Sequence, residues 1–180
     1  MKQGKVKGYL IKQILISICN FTALKCSIKL IGYYLVNYVV GRNMAKIGKK
    51  CNIHPTVIIR EGQNIEIGDF CYFNHNTILT GGHTHGKLII GDNVQTGPNV
   101  GFFVANHRYA TRNIPINQQG YDEADIIVGN DVWIGANSII TSGVKIGEGS
   151  VIGANSVVTH NIPPYSIAVG IPAKVIKTRG

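Results

Sequence analysis

The stretch "VGNDVWIGANSIITSGVKIGEGSVIGANSVVTHNIPP", residues 128–164, repeats itself every six residues. Val128, Ile134, Ile140, Ile146, Ile152 and Val158 keep that interval, and glycine follows four of them, at Gly129, Gly135, Gly147 and Gly153. Val132, Ser138, Val144, Ser150 and Ser156 sit four residues after successive aliphatics. A period of six fits neither a helix of 3.6 nor a continuous strand of 2. It fits a short strand, a turn and another short strand, with one aliphatic per side pointing inward. Stacked coils bury those aliphatics in a continuous ladder, and glycine is expected at the tight corners. The fold class this predicts is an all-β solenoid of parallel strands, in which each coil depends on its neighbours. An ordinary antiparallel sheet would not keep six consecutive positions in register.

The same beat runs backward less evenly. It is heard at Ile47–Gly48 and Ile53, at Ile67–Gly68, Phe73 and Leu79, and at Ile90–Gly91, Thr96 and Phe102. Between Phe102 and Val128 it fails: residues 107–127 form a polar excursion that opens on His107 and closes on Asp122, Glu123 and Asp125. A solenoid admits a loop without disturbing its core, and such loops carry function. The three carboxylates read as a solvated loop edge, with orientation of His107 as the alternative.

Charge divides the chain. Residues 1–60 hold eleven Lys/Arg and no Asp or Glu, whereas residues 61–180 hold seven Lys/Arg and nine Asp/Glu. The excess of +9 therefore belongs to the N-terminal third. A nucleic-acid binder would spread a basic stripe over its folded domain and carry a recognisable motif, and neither is present. Few charges, at 15%, with 22 glycines is the reverse of a disordered composition. Cys19, Cys26, Cys51 and Cys71 have no framework spacing and read as reduced thiols, several of them in the core.

Residues 9–40 are apolar, with Leu10, Ile14, Ile18 and Phe21 at helical spacing. Lys12, Lys25 and Lys29 break the run into charge-free pieces, 13–24 and 30–41, too short to span a bilayer. Three readings stand: helices packed on the main domain, a membrane-surface helix with a cationic edge, and a cleaved signal peptide, which the charge of Lys12 disfavours.

The segments "IGDNVQTGPNV", "NDVWIGANSII", "VIGANSVVTHNIPP" and "GIPAKVI", in that order around the excursion, resemble the hexapeptide-repeat acyltransferases. The resemblance covers about residues 46–178 and is closest to sugar O-acetyltransferases of the galactoside and maltose type. It implies a left-handed parallel β-helix, where the usual crossover rule would give the opposite hand. The implied organisation is an N-terminal helical segment over 1–45, a β-helix over 46–172 with an inserted active-site loop at 107–127, and a basic tail at 173–180.

The resemblance also implies the chemistry. The family's general base lies eight residues after the Asn of "PNV", and Asn99 plus eight is His107. A neutral imidazole titrates near working pH and takes the proton of a hydroxyl as it attacks a thioester. Transfer would be direct, with acetyl-CoA as co-substrate and no metal. Asn74 matches an acceptor-contacting asparagine. The acidic residue that some relatives place further on is replaced by "GGHTHG", which makes His83 and His85 candidate acceptor contacts; as a pair they are too few ligands for a metal site. For coenzyme A the resemblance points to Trp133 along the pantetheine arm and to Gly97, Gly135, Ala136 and Ala154 near its amides. Thr159 and His160 follow, with Lys174 and Lys177 toward the nucleotide phosphates.

The expected activity is O-acetylation of a sugar in a surface polysaccharide or its precursor, by a cytoplasmic homotrimer at or near the inner face of the membrane through residues 1–45. The alternatives are N-acetylation of an amino sugar, O-acetylation of an antibiotic, and a non-catalytic scaffold or carbonic-anhydrase-like β-helix. The histidines at 54, 75, 83, 85, 107 and 160 show no convincing zinc pattern for the last of these.

Overall fold

A computed structural model of the chain describes residues 8, 10–14, 16 and 21–180, so the expectations for Cys19 and for most of residues 1–20 lie outside the described residues. The chain divides into two units, residues 1–36 and 37–180.

In the first unit, residues 10–14 are helical and helix α1 spans Phe21–Tyr34. Leu24, Ile28 and Ile31 lie three and four residues apart along α1 and are exposed. Among the described residues, no helix is long and apolar enough to cross a membrane.

In the second unit, strands recur in cyclic order around three parallel sheets. Face one contains β1 (Lys46–Ile47), β4 (Ile65–Ile67), β7 (Leu88–Ile90), β12 (Ile126–Val128) and β15 (Lys145–Ile146). Face two contains β2 (Asn52–Ile53), β5 (Tyr72–Phe73), β8 (Gln95–Thr96), β13 (Trp133–Ile134), β16 (Val151–Ile152), β18 (Ser166–Gly170) and β19 (Ala173–Thr178). Face three contains β3 (Ile58–Arg60), β6 (Ile78–Thr80), β9 (Gly101–Phe103), β14 (Ile139–Thr141) and β17 (Val157–Val158). Val128 pairs with Ile146, Ile134 with Ile152 and Ile140 with Val158, so three beats of six residues make one turn.

The rung aliphatics are the core: Phe73, Leu79, Phe102, Ile134, Ile140, Ile152 and Val158 are all fully buried. At roughly 1.5–3 kcal/mol per buried aliphatic or aromatic side chain, this ladder is the main stabilising term. Val132, Ser138, Val144, Ser150 and Ser156 form a second buried row. The hydroxyls of Ser138 and Ser150 donate to the carbonyls of Gly153 and Pro163 at 3.0 and 2.9 Å, which satisfies polar atoms inside an apolar stack.

The glycines work differently from the corner role expected of them. Gly129, Gly135, Gly147 and Gly153 donate their N–H to Ile146, Ile152, Ile162 and Ala168 of the next coil at 2.7–2.8 Å. A Cβ on Gly129 would stand 2.6 Å from the Glu148 nitrogen, and one on Gly135 2.5 Å from the Ala154 nitrogen. The next coil's backbone occupies the space a side chain needs. Left-handed corner positions are taken by Asn76, Asn93, Asn99, Asn137 and Asn155, by Lys50, Phe70, Asp131 and Tyr165, and by glycine at Gly143 and Gly149. Asparagine tolerates that conformation and bonds locally. Asn99 donates to Asn137 at 2.9 Å and Asn137 to Asn155 at 3.1 Å, forming a ladder down the corner between faces two and three.

The N-terminal end of the coil is closed by residues 37–45. The Tyr38 hydroxyl donates to the Ile53 carbonyl at 3.0 Å, Arg60 donates to buried Asn37 at 3.0 Å, and Gly41 in α2 (Gly41–Met44) lies against the Ile59 backbone. Part of the N-terminal helical segment expected over 1–45 thus caps the coil. The segment 173–180, expected as a tail, is largely strand: β19 pairs antiparallel with β18. Arg179 then donates to the Asp131 carboxylate at 2.9 Å and to the Gly149 carbonyl at 3.0 Å. Cys71 is buried, which pushes its thiol up to about 11, while Cys26 is exposed.

Gly129→Ala is expected to lower the melting temperature, since overpacking of this kind costs roughly 1–3 kcal/mol. Thermal denaturation followed by circular dichroism reads this; an unchanged midpoint would mean that adjacent coils leave room for a methyl group.

Candidate active site

All the irregular length in the coil falls at one corner, between faces three and one. Residues 61–64 bulge after β3, residues 81–87 after β6, and residues 104–125 after β9. The last of these is an antiparallel hairpin, β10 (Ala105–His107) and β11 (Tyr121–Glu123), pairing Ala105 with Glu123, Asn106 with Asp122 and His107 with Tyr121. The excursion is therefore more regular than the sequence suggested, and His107 ends a strand instead of opening a loop.

Strand alternation gives the hairpin two sides. Asn106, Arg108 and Asp122 share one, where Arg108 Nε donates to Asp122 at 2.6 Å beside a cleft of about 540 Å³ that Tyr109 and Gln119 also line. Ala105, His107, Tyr121 and Glu123 share the other. There Tyr121 lies 4.5 Å from the ring of His107 and 4.5 Å from the ring of His83, and Nδ1 of His83 is 3.5 Å from a Glu61 oxygen.

Glu123 corrects the reading of the carboxylates as a solvated edge. Its side chain is only 3% exposed. It accepts from the amides of His83 at 2.7 Å, Thr84 at 3.2 Å, His85 at 3.0 Å and Gly86 at 3.0 Å, and from the Thr84 hydroxyl at 3.0 Å. Burial pushes its pKa upward, but these donors stabilise the charged form more strongly and hold the carboxyl at about 2. Gly82 makes this possible, because a Cβ there would stand 2.6 Å from the Glu123 Oε2. "GGHTHG" is thus a receptacle for a carboxylate from forty residues later. The signal was present as glycines without a partner; the partner was not local. Asp125 is committed as well, accepting from the Lys87 amide at 2.8 Å.

The other expected site residues separate by corner. His83 and His85 share the corner of His107, but Nδ1 of His85 lies 2.8 Å from the Thr84 hydroxyl. Thr159 and His160 lie at that corner too, 2.8 Å apart beyond β17. Asn74, Gly97, Gly135, Ala136 and Ala154 line the next corner, between faces two and three, with the Asn74 oxygen 2.8 Å from the His75 amide. Within one chain the width of face three separates Asn74 from His107.

Face two carries a continuous outward row. Register links Tyr72 to Gln95, Gln95 to Trp133, Trp133 to Val151, Val151 to Ile167 and Ile167 to Lys177. Trp133 is 56% exposed on it. Three strand spacings of about 4.8 Å, roughly 14 Å in all, separate the Trp133 ring from the Lys177 position. Lys174 projects from the same edge strand. Among the described residues, no group of three or more His, Cys, Asp or Glu is placed to hold a metal.

Residues 125–160 match the family model described as bacterial transferase hexapeptide (six repeats). The galactoside O-acetyltransferase of Escherichia coli (strain K12) is 40% identical over 133 residues, covering 74% of this chain and 63% of that protein. The chain thus spans about three-fifths of the length of such curated relatives. A galactoside acetyltransferase structure in complex with coenzyme A aligns with a TM-score of 0.69 at 34% identity, covering 82% of this chain and 77% of that one. A hexapeptide-repeat acetyltransferase from Vibrio cholerae, complexed with acetyl coenzyme A, aligns with a TM-score of 0.69 at 32% identity over 79% of this chain and 76% of that one.

The depressed pKa of Glu123 sets an acid dependence. The folded value of about 2 lies below the ordinary 4.5, so the stabilisation is complete above pH 4.5 and is lost as pH falls toward 2. Glu123→Gln should melt below the parent at neutral pH, with the gap closing over that window. A gap that stays constant from pH 7 to pH 2 would show that the carboxylate is not what the amides hold.

Proposed function

Because the chain belongs to the hexapeptide-repeat transferase family, we propose that it is an acetyl-CoA-dependent O-acetyltransferase with the left-handed coil of that family. Its acceptor is a sugar hydroxyl of a surface polysaccharide or its precursor. The observation that carries this reading is a solvent-facing imidazole, His107, lifted off the coil by a hairpin at one corner, together with an aromatic and aliphatic row ending in lysines on another face.

Acetyl-CoA supplies an acetyl group activated as a thioester. The row from Gln95 through Trp133, Val151 and Ile167 suits an apolar arm, and Lys174 and Lys177 suit the anionic end. Small residues at Gly97, Gly135, Ala136 and Ala154 leave backbone within reach of the arm's amides. His107 takes the proton of the acceptor hydroxyl as its oxygen bonds to the acetyl carbon. It returns that proton to the sulfur when the carbon–sulfur bond breaks. Asn74 and His83 are assigned to acceptor hydroxyls.

Asn74 and the donor row stand away from the His107 corner of their own chain, so a complete site needs the corner of one copy against the face of another. A cyclic trimer provides three such sites. The N-terminal unit, residues 1–36, is assigned to the membrane surface at the cytoplasmic side: the exposed Leu24, Ile28 and Ile31 with Lys25 and Lys29 beside them make an interfacial helix.

His107→Ala is expected to sediment as the same trimer as the parent and to bind acetyl-CoA equally well. Its kcat should fall roughly 10²–10⁴-fold, the usual worth of general-base help. An active monomer, or a variant keeping more than about a tenth of the parent kcat, would contradict the mechanism. For the membrane assignment, the full chain should co-sediment with phosphatidylserine vesicles at low salt. Replacing Lys12, Lys25 and Lys29 by Gln should weaken this by roughly fivefold per lysine. Equal binding by both proteins would reject an interfacial role.

A further inference from the structure

What orients His107 is decided by elimination and by contact. The three carboxylates nearest it in sequence are engaged elsewhere: Asp122 by Arg108, Glu123 by the amides of residues 83–86, and Asp125 by the Lys87 amide. Among the described residues, no hydrogen-bond partner reaches the His107 imidazole, and its ring contact is Tyr121 at 4.5 Å with planes inclined by 39°. The two residues face each other across the hairpin. Arg108 N–H donates to the Gly120 carbonyl at 3.0 Å, so the neighbouring His107–Tyr121 pair is the non-hydrogen-bonded kind, where side chains approach most closely.

Tyr121 is itself held from beyond. His83 packs against it at 4.5 Å with planes inclined by 49°, and His83 Nδ1 is 3.5 Å from Glu61. The loop that presents His83 is clamped by Glu123, the residue two places after Tyr121 on the same side of β11. The three insertions at this corner therefore form one connected set of contacts, Glu61 to His83 to Tyr121 to His107. The first two insertions supply one residue each and the third supplies two. Among the described residues, the Tyr121 hydroxyl makes no hydrogen bond, so it is the ring that packs.

We propose that Tyr121 is a positioning residue: its ring, braced by the Glu61–His83 pair, fixes the imidazole of His107 in the orientation from which it takes the acceptor proton. This rests on the reading of His107 as the base. A misplacement of about 1 Å in a reacting group costs on the order of 10²-fold in rate, so a ring contact that prevents such drift is worth a comparable factor.

The test compares Tyr121→Leu with Tyr121→Phe in the full-length protein, by steady-state kinetics and by NMR of the His107 ring protons. Tyr121→Leu should lower kcat roughly 10- to 100-fold while KM for acetyl-CoA stays unchanged, and Tyr121→Phe should keep kcat within about threefold of the parent. The His107 ring protons should lie upfield in the parent and in Tyr121→Phe, through the ring current, and should lose that shift in Tyr121→Leu. Full activity in Tyr121→Leu overturns the proposal. So does an equal loss in both variants, which would point to the hydroxyl. A parent spectrum without the upfield shift overturns it even if Tyr121→Leu fails to fold. If the shift behaves as expected but His107→Ala remains active, the contact stands and the assignment of His107 as base fails instead.

Discussion

Everything in the coil depends on how closely one turn lies on the next. Gly135 donates to Ile152 at 2.7 Å, and no side chain fits at the position from which it does so. That approach lets Ile134 stand over Ile152 and Ile140 over Val158, giving a core built mainly by one turn packing on another. It also explains why the buried serines are tolerated. Ser138 and Ser150 sit where the backbone of the adjoining turn offers a carbonyl, so burial does not leave their hydroxyls unsatisfied.

Such a core constrains the faces and frees one corner. The corner between faces two and three is regular, with Asn99, Asn137 and Asn155 bonded in line, and insertion there would break the ladder. The corner between faces three and one carries insertions of growing length on three successive coils. The insertions stack because the coils stack. The polar groups of the candidate site are gathered by coil-on-coil register.

Glu123 shows how two opposing effects are settled at that corner. A carboxylate with 3% of its side chain exposed is costly to ionise, and alone it would be pushed toward the neutral acid. Four successive amides and a hydroxyl outweigh the desolvation. The carboxylate is consumed as a clamp on residues 83–86. The same commitment of Asp122 and Asp125 leaves ring packing as the means of holding His107.

The sequence alone determined the coil, because six-residue periodicity is a local property: Val128 through Val158 specify which residues face inward whatever surrounds them. The break in the rhythm at His107 was visible in it too, and the family resemblance singled that residue out as a candidate base. It did not determine why glycine follows four of those rungs, since the reason lies in the backbone of the next turn. Nor did it determine the roles of Glu61, Tyr121 and Glu123. Glu123 meets residues 83–86 about forty positions away, Tyr121 meets His83, and His83 meets Glu61 at yet another separation. The insertions have no common period, so no spacing rule connects them. Only the stacking of turns, which brings three unequal loops to one corner, decided that these residues touch.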